Sequence, residues 1–386
     1  MKFVFASDSF KGSLTSAETG AALTAAARAV FGECETCVAP IADGGEGVAA
    51  AVLSARGGRL IERVVRDPLG APTRASFGML SDTEAIIEMA SASGLTLVRP
   101  EARNPEVTST YGTGELVRAA LELGATDITI GIGGSATNDG GMGFTSALGA
   151  KFYDRCGERL VGVGGDLARV ERVDLSELDP RLSRARITVM CDVTNPLCGE
   201  TGATRVFGPQ KGADPEMVER LELGMQTYRR ALLREFGVDA NDLPGSGAAG
   251  GLGAALRILF NAELKSGIEV MLDLVRFDDL SRSADLIVTG EGRADGQSAN
   301  GKVLSGVGRR ARRLGVPCVA LCGSVGDGYR ALYDSGISCI MTTVDSPMPL
   351  ADALARAREL YYDGAVRLFQ LVKIGFELGA RRRSAQ

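Results

Sequence analysis

Glycine-rich loops that follow apolar runs are the feature that most constrains the fold of this chain. The longest of them, residues 131–141, lies between a strand-like run at 126–132 and a helix-like run that ends at Leu148. Glycine permits a positive φ and close approach of a ligand to the backbone. A loop that leads into a helix also presents free N–H groups to an anion. The pattern predicts either a phosphate site or a tight connection capped by polar residues.

Loops of the same kind recur at residues 43–47, 245–253 and 290–296. Glycine accounts for 51 of the 386 residues, about 13%, against an average near 7%. In open α/β sheets, ligands bind outside the carboxyl ends of the strands. Several polar glycine loops at strand ends therefore predict one large polar site, of the type used by enzymes that handle phosphorylated ligands.

Strand-like runs alternate with helix-like runs at both ends of the chain, which predicts parallel βαβ units. Between them, residues 60–66, 73–78 and 85–89 are strand-like with only short turns, which predicts an antiparallel meander. The expected fold class is α/β with two domains. A Rossmann-like parallel-sheet domain is built from residues 1–57 and 276–386, and residues 58–275 form an inserted mixed α/β domain. The predicted elements of the first domain are strands at 2–6, 34–39, 286–289, 317–322 and 338–343, and helices at 15–30, 46–55, 303–314, near Arg330 and from Leu350 onward.

Composition and charge exclude several classes of protein. The net charge of −5 argues against a general nucleic-acid or membrane-surface binder. No apolar run approaches the ~18–20 residues that a bilayer span needs. The N-terminal run has no signal-peptide pattern, so we expect a cytoplasmic protein. Its eight scattered cysteines are expected to be reduced and mostly buried.

The chain contains no histidine. Ser-His-Asp and Cys-His catalysis, histidine metal sites and histidine acid–base chemistry are therefore excluded. A proton acceptor must be a carboxylate, a lysine or a tyrosine. A metal must accept oxygen ligands, which points to Mg²⁺ or a similar hard cation.

Three further segments carry groups suited to catalysis or binding. The loop at 8–13 places Lys11 among hydroxyl donors, which suits a carboxylate or a phosphate, although Ser13 or Thr15 would also cap the following helix. Asp192 follows the strand at 187–190, where a catalytic carboxylate is expected. The turn at 207–212 carries a lysine, Lys211, that is either structural or substrate-binding.

Two weaker patterns point to nucleotide binding of other kinds. Gly131-x-Gly133-x-x-Ala136 follows a strand, and Asp154 lies near the acidic position of a dinucleotide fold, so a dehydrogenase is an alternative. The run from Gly296 to Lys302 is spaced like a P-loop. Val303 stands where that motif needs a Mg²⁺-binding hydroxyl, and we reject a standard P-loop.

Taken together, eight sequence blocks resemble the signature blocks of the type I glycerate kinases and occur in that family's order. They cover nearly the whole chain. The resemblance implies ATP-dependent phosphorylation of D-glycerate, with 2-phosphoglycerate the usual product, and a two-domain fold with the active site in the cleft between the domains. The blocks are DSFKGS (8–13), ADGGEG (42–47), YGTGE (111–115), GGSATNDGG (133–141), DVTNPL (192–197), FGPQKG (207–212), AAGGLG (248–253) and TGEGR (289–293).

On this basis we assign roles within the expected site. Asp192 would orient or deprotonate the glycerate hydroxyl. Lys11, with Arg293, would hold the glycerate carboxylate or the transferred phosphoryl group. Asp43, Glu291 and Asp295 are alternative bases, or ligands to Mg²⁺ through water, and Glu291 is the candidate metal ligand. The other assigned residues are Asp8 and Ser13, together with Asp43 and Arg293, for the substrate, and Gly133, Gly134, Ser135, Asn138, Asp139, Gly250 and Gly251 for the nucleotide phosphates.

The expected cofactors are ATP and Mg²⁺, and the expected partners are small-molecule substrates, with neither nucleic acid nor membrane. A homodimer is compatible with these expectations. Two other functions remain open alongside the kinase. One is an NAD(P)-dependent hydroxy-acid dehydrogenase, and the other is a non-catalytic sensor of a nucleotide or sugar phosphate.

Overall fold

The computed structural model describes residues 1–42, 47–299 and 301–384, with side chains as far as residue 381. The chain divides into two compact units. The first unit consists of Met1–Asp43 and Ile268–Gln386, and the second of Gly44–Gly267. The sequence predicts domain boundaries at 57/58 and 275/276. Whether the chain folds as domains with these boundaries stays a prediction.

The elements are numbered in chain order. The strands are β1 (Lys2–Ser7), β2 (Glu35–Val38), β3 (Arg59–Arg66), β4 (Pro72–Met79), β5 (Glu84–Glu88), β6 (Asp127–Gly131), β7 (Lys151–Tyr153), β8 (Arg172–Asp174), β9 (Arg186–Met190), β10 (Glu263–Lys265), β11 (Leu286–Gly290), β12 (Arg293–Ala294), β13 (Cys318–Cys322), β14 (Ser324–Val325) and β15 (Cys339–Thr342).

The helices are α1 (Ser16–Phe31), α2 (Val48–Arg56), α3 (Ala90–Ser93), α4 (Tyr111–Glu122), α5 (Met142–Ala147), α6 (Ala203–Phe207), α7 (Pro215–Phe236), α8 (Leu252–Phe260), α9 (Gly267–Leu274), α10 (Phe277–Ser281), α11 (Val303–Leu314), α12 (Ala331–Asp334), α13 (Leu350–Ala355) and α14 (Ala357–Ser384).

The first unit is built on a parallel sheet with strand order β15-β13-β11-β1-β2. Its two central strands are apolar and almost wholly buried, as expected of parallel strands covered on both faces. Phe3, Phe5, Val288 and Phe369 belong to one buried cluster, so the core joins both ends of the chain. This confirms the α/β fold class and the parallel βαβ units.

The strand order of this sheet reverses between β1 and β11. From β1 the chain moves outward on one side to β2, and from β11 it moves outward on the other side to β13 and β15. The loops after β1 and β11 therefore leave the sheet in opposite directions. In doubly wound folds, ligands bind in the crevice that such a reversal opens at the carboxyl ends of the strands.

The second unit contains a six-stranded mixed sheet with the order β10-β9-β6-β5-β4-β3. β3 pairs with β4 and β4 with β5 in antiparallel fashion, which confirms the predicted meander. β5, β6, β9 and β10 are parallel, so their carboxyl ends share one edge. A buried apolar cluster that includes Phe77, Ile130 and Val189 lies under this sheet.

Helix α2 belongs to the second unit in this structure. Glu88, the last residue of β5, accepts hydrogen bonds from the Gly47 and Ala49 backbone N–H groups at 3.1 and 2.6 Å. A carboxylate at a helix N-terminus satisfies orphan donors there and suits the helix dipole. These two hydrogen bonds hold the N-terminus of α2 at the carboxyl end of β5.

One predicted element differs from the structure. The sequence predicts a single long helix from Leu350, whereas the structure has α13 and α14 with Arg356 between them. Arg356 departs from helical geometry, with φ −100° and ψ 12°. Neither glycine nor proline marks this break, so the sequence contains no local signal for it.

Candidate active site

The loops that follow β1 and β11 lie side by side at the reversal of strand order in the first unit. Ser7 pairs with Gly290 in the register of the two strands, and the Asp8 N–H donates to the Gly290 carbonyl at 2.9 Å. A Cβ placed on Gly292 would lie 4.0 Å from the Lys11 backbone nitrogen. The structure thus brings together six of the residues that the sequence analysis assigned to the site, namely Asp8, Lys11, Ser13, Glu291, Arg293 and Asp295.

Glu291 is the most strongly perturbed carboxyl group of these loops. Its residue is only 8% exposed, and the Ser298 hydroxyl donates to it in a short hydrogen bond. Burial, together with the nearby Asp8 and Asp295 carboxylates, raises the pKa of Glu291 to about 7, while Ser298 and Lys302 oppose the shift. Glu291 is therefore partly protonated near neutral pH, and it could accept or release a proton there.

Arg293 and Asp295 form the more open part of the same loop. Arg293 lies 3.6 Å from Asp295, and two-thirds of its side chain is exposed. The Asp295 carboxylate accepts a hydrogen bond from the Gln297 N–H at 2.9 Å. An exposed ion pair of this kind is weak, so Arg293 can exchange its partner for an anionic ligand.

Ser13 has a local role in this structure. Its hydroxyl donates to the Phe10 carbonyl at 2.9 Å, which closes the turn between β1 and α1. The helix cap is Thr15, whose side chain accepts from the Glu18 N–H. Of the two capping residues considered from the sequence, the structure selects Thr15.

The loop at 132–141 follows β6 in the second unit and divides into an outer and an inner part. Gly134 is exposed and Gly133 is half-buried, whereas residues 135–141 are buried. Gly134 has φ +71°, a left-handed conformation that favours glycine. A ligand reaching this loop from solvent would meet residues 133–135 first.

Asp139 lies in the inner part and is fully buried. Its carboxylate accepts from the Thr110 N–H and hydroxyl at 2.8 and 2.7 Å, and from the Gly141 and Gly143 N–H groups at 3.1 and 3.2 Å. Burial raises the pKa of Asp139, and these four donors oppose the shift. The structure gives Asp139 a role in holding the loop, and its predicted contact with nucleotide phosphates stays a prediction.

Asn138, Gly250 and Gly251 are buried beside Asp139. The Asn138 amide donates to the Thr204 hydroxyl at 3.1 Å. A Cβ on Gly250 would lie 2.1 Å from the Thr137 carbonyl oxygen, and one on Gly251 would lie 2.8 Å from the Gly140 Cα. The two glycines thus allow the loop at 245–251 to pack directly on the loop at 132–141.

Lys211 is a candidate that the sequence analysis noted but did not assign to the site. It is 2% exposed, and its Nζ donates to the Ser135 hydroxyl oxygen at 2.8 Å and to the Thr137 carbonyl at 2.6 Å. Burial lowers the pKa of Lys211 to about 7, and the Asp139 carboxylate opposes the shift. The only signal in the sequence was a lysine within a glycine- and proline-bounded turn.

Asp192 lies just beyond the carboxyl end of β9, as the sequence predicted. Its Oδ1 accepts from the Ser266 hydroxyl at 3.0 Å and from the Gly267 N–H at 2.8 Å. Both donors follow β10, the neighbouring parallel strand. They orient the carboxylate while Asp192 itself stays exposed. Asp43, the remaining assigned carboxylate, lies outside the described residues.

The model of the Glycerate kinase family matches residues 3–373 of the chain. This chain belongs to the glycerate kinase family. Its relatives include the glycerate kinase of Haemophilus influenzae, 44% identical over 93% of this chain and 95% of the relative. The glycerate 2-kinase of Escherichia coli is 43% identical over 99% of both chains. A solved structure assigned as glycerate kinase 2 of Salmonella typhimurium LT2 is 42% identical, with a TM-score of 0.88 over 98% of this chain and 99% of that chain.

Membership of the glycerate kinase family makes this chain an enzyme, a phosphotransferase with an alcohol group as acceptor. The matches lend no support to the dehydrogenase or to the non-catalytic sensor. Among the described residues, no helix has the length and hydropathy needed to cross a bilayer. Within the same ranges, no three acidic or cysteine side chains lie close enough together to form a metal site of their own.

Proposed function

We propose that this enzyme phosphorylates D-glycerate with ATP and Mg²⁺ and that the product is 2-phosphoglycerate. The observation that carries the proposal is the relative named glycerate 2-kinase, which is 43% identical over 99% of both chains. The geometry of the two carboxyl-edge sites supports it. In the first unit, the loops after β1 and β11 combine cationic and carboxylate side chains at the reversal of strand order. In the second unit, the carboxyl edge of the sheet carries the glycine loop after β6 and the oriented carboxylate of Asp192.

Phosphoryl transfer needs in-line positioning and neutralisation of charge more than covalent chemistry from the protein. In the first unit, Lys11 and Arg293 supply cations for the glycerate carboxylate or the moving phosphoryl group. In the second unit, we assign Gly133 and Gly134, the outer part of the loop, and Ser135, the first buried residue after them, to the nucleotide phosphates.

Asp192 is the proposed base or orienting group for the glycerate hydroxyl. Its two donors fix the direction of one oxygen, and its exposure leaves the carboxylate accessible to a substrate. In a loose transition state the proton of the glycerate hydroxyl is removed late, so a carboxylate can act as the base. Asp43 and Asp295 are the alternatives for this role.

Mg²⁺ commonly binds through one or two carboxylates together with substrate phosphates and water. The acidic groups after β1 and β11 fit this requirement, because the Asp8 and Asp295 carboxylates act electrostatically on Glu291 there. When bound, Mg²⁺ would neutralise charge on the phosphates. Asp295, and Glu291 through water, are the proposed ligands.

We also propose that the enzyme is cytoplasmic. All eight of its cysteines are free thiols, and reduced cysteines are typical of cytosolic proteins. Homodimer formation stays a prediction from the sequence.

The test is incubation of the purified enzyme with ATP, Mg²⁺ and D-glycerate, with identification of the product by phosphorus NMR. We expect the resonance of 2-phosphoglycerate, and none in matched samples that lack Mg²⁺ or contain L-glycerate. A 3-phosphoglycerate signal would keep the kinase and reverse the proposed orientation of the substrate. ATP binding without any product would favour another hydroxy acid or the sensor.

A further inference from the structure

Lys211 is buried behind the glycine loop of the second unit. Among the described residues, no carboxylate lies within ion-pair distance of it. An ammonium group has three N–H donors, and two of them bind the Ser135 hydroxyl oxygen and the Thr137 carbonyl. Burying a charge without a close counterion is unfavourable unless another interaction compensates for it.

The contact with Lys211 determines how Ser135 can interact with a ligand. An ammonium group can only donate, so the Ser135 oxygen is the acceptor in this pair. The Ser135 hydroxyl hydrogen must then point elsewhere, and the structure records no acceptor for it among the described residues. Ser135 follows Gly134, the exposed residue of the loop. Lys211 thus makes Ser135, which is buried directly beside the exposed Gly134, a hydrogen-bond donor.

A second observation in the same loop also indicates an unsatisfied polar environment. The Thr137 hydroxyl is fully buried and has no hydrogen-bond partner in the part of the chain that the structure describes. Buried polar groups normally find a partner, and an exception calls for an explanation. The Ser135 and Thr137 hydroxyls and the Lys211 ammonium group therefore lie close together, and the nearby Asp139 carboxylate is not within ion-pair distance of the lysine.

We propose that Lys211 is a positioning residue of the nucleotide-phosphate site, which holds the loop through Thr137 and directs the Ser135 hydroxyl toward a phosphate oxygen. The inference rests on the proposed function, because it takes the loop at 133–135 as the place where the nucleotide phosphates bind. Nothing in the assignment needs Lys211 to touch the ligand. It acts through Ser135 and through its charge.

A consequence is that nucleotide binding is coupled to protonation of Lys211. A polyanion close to this amine favours its charged form. The Asp139 carboxylate is the ionisable group that acts on Lys211 from the loop. On the neighbouring elements, Arg205 of α6 is paired with Glu219, and the Arg103 carbonyl packs against Gly212. The Asp139 carboxylate already accepts four hydrogen bonds that favour its charged form, so Lys211 is the group of this cluster that we expect to take up a proton.

The experiment is calorimetric titration of the intact enzyme with ADP without Mg²⁺, in pairs of buffers that differ in ionisation enthalpy. At pH 8 the phosphates of ADP are ionised, since the second phosphate pKa is about 6. We expect net proton uptake at pH 8 and little at pH 5.5, where Lys211 already carries its proton. Glu291 also has a pKa of about 7, but it is assigned only to Mg²⁺, which this titration leaves out, so Glu291→Gln should keep the uptake.

Lys211→Met should abolish the uptake and weaken ADP binding by about ten- to a hundredfold, the range expected for hydrogen bonds to a charged group. Ser135→Ala should weaken binding in the wild type but have little further effect in the Lys211→Met background. Circular dichroism and thermal unfolding verify that each variant is folded. A purely structural lysine would change stability without changing proton uptake.

ADP binding and proton uptake distinguish a failure of the proposed role of Lys211 from a failure of the proposed function. Wild-type enzyme that binds no ADP would overturn both. Wild-type enzyme that binds ADP without proton uptake, or Lys211→Met that binds it as tightly as wild type, would overturn the role of Lys211 and leave the kinase in place. Should Lys211→Met not fold, the uptake by wild type and by Glu291→Gln decides the matter.

Discussion

Asp192 is the single residue on which the proposed reaction depends most directly. Asp192→Asn keeps the shape of the side chain and the acceptor for Ser266 and Gly267, but it removes the basic carboxylate. We expect turnover to fall by about two to four orders of magnitude, the usual contribution of general base catalysis, while ATP affinity stays near normal. Steady-state kinetics and nucleotide titration measure the two effects separately.

Asp67 offers a matched control in the same unit. One oxygen of its carboxylate likewise accepts two hydrogen bonds, here from the Leu69 and Ala71 backbone N–H groups at 2.9 and 2.8 Å. Asp67→Asn should therefore leave turnover unchanged. Retained turnover in Asp192→Asn would move the catalytic role to Asp43 or Asp295.

Glu291 permits a prediction about pH and stability. Its folded-state pKa is about 7, against an ordinary value of 4.5. The folded state therefore binds the Glu291 proton more tightly than the unfolded state does. The resulting contribution to the free energy of unfolding is complete below pH 4.5 and is lost as the pH rises through 7. Glutamine cannot ionise, so Glu291→Gln should gain stability relative to wild type over this window, by roughly 3 kcal/mol at most.

Denaturant unfolding of both proteins at several pH values between 4.5 and 8 measures this difference. Glu101→Gln, at an exposed position of the other unit, is the control and should show no such trend. A difference between wild type and Glu291→Gln that does not change with pH would contradict the assignment of a buried, protonated Glu291.

At the scale of an element, helix α1 depends on the cap that follows the loop at 8–13. Thr15 and Glu18 form a reciprocal capping box, in which each side chain accepts from the other residue's backbone N–H at 3.2 and 2.9 Å. Thr15→Ala leaves the Glu18 N–H without its partner and should lower the free energy of unfolding by about 1 kcal/mol.

Thr24 in the same helix is the matched control. Its hydroxyl donates to the Gly20 carbonyl, which is already bonded within the helix, so Thr24→Ala should change stability by less than about 0.5 kcal/mol. Chemical denaturation of the two variants and the wild type provides the comparison. Equal effects of the two substitutions would show that the cap is unimportant.

At the scale of the whole molecule, the two units differ in how they can form. The second unit is continuous in the chain, whereas the first joins residues 1–43 to 268–386. β1 lies between β2 and β11 in the sheet, so neither end of the chain can complete that sheet alone. We predict that residues 44–267 fold as an isolated fragment and that residues 268–386 do not.

The predicted domain boundaries can be tested in the same experiment. A fragment of residues 58–275 lacks α2 and leaves the Glu88 carboxylate without the N–H groups of Gly47 and Ala49. It should unfold at lower denaturant concentration than residues 44–267. Equal stability would instead support the boundaries predicted from the sequence. Circular dichroism during urea unfolding measures both fragments.

Elements with local signals were predictable from the sequence. The predicted helix at 303–314 matches α11, because Gly301 and Lys302 precede it and Gly315 ends it in a left-handed conformation. The meander was predictable for a similar reason, since period-two runs alternate with turn residues there. The residues that follow β1 and β11 were recognisable because parallel strands place their carboxyl ends at one edge.

Local signals do not say which polar groups become buried or what they contact. Lys211 lies 76 residues from Ser135 in the chain, yet it lies directly behind it in the fold. Asp139 looks from the sequence like a ligand at the rim of a loop, whereas packing buries it beneath four hydrogen-bond donors. Burial depends on the packing of distant segments, and it also sets the pKa values of Lys211, Asp139 and Glu291.

The sequence by itself determined the fold class, the family and the loops that carry the chemistry, because periodicity, glycine placement and ordered motifs are properties of neighbouring residues. Only the tertiary structure decided which side chains of those loops face solvent and which are buried as structural supports. The reason is physical: solvent exposure, close contact and the electrostatic environment of a charge arise between segments that are far apart in the chain.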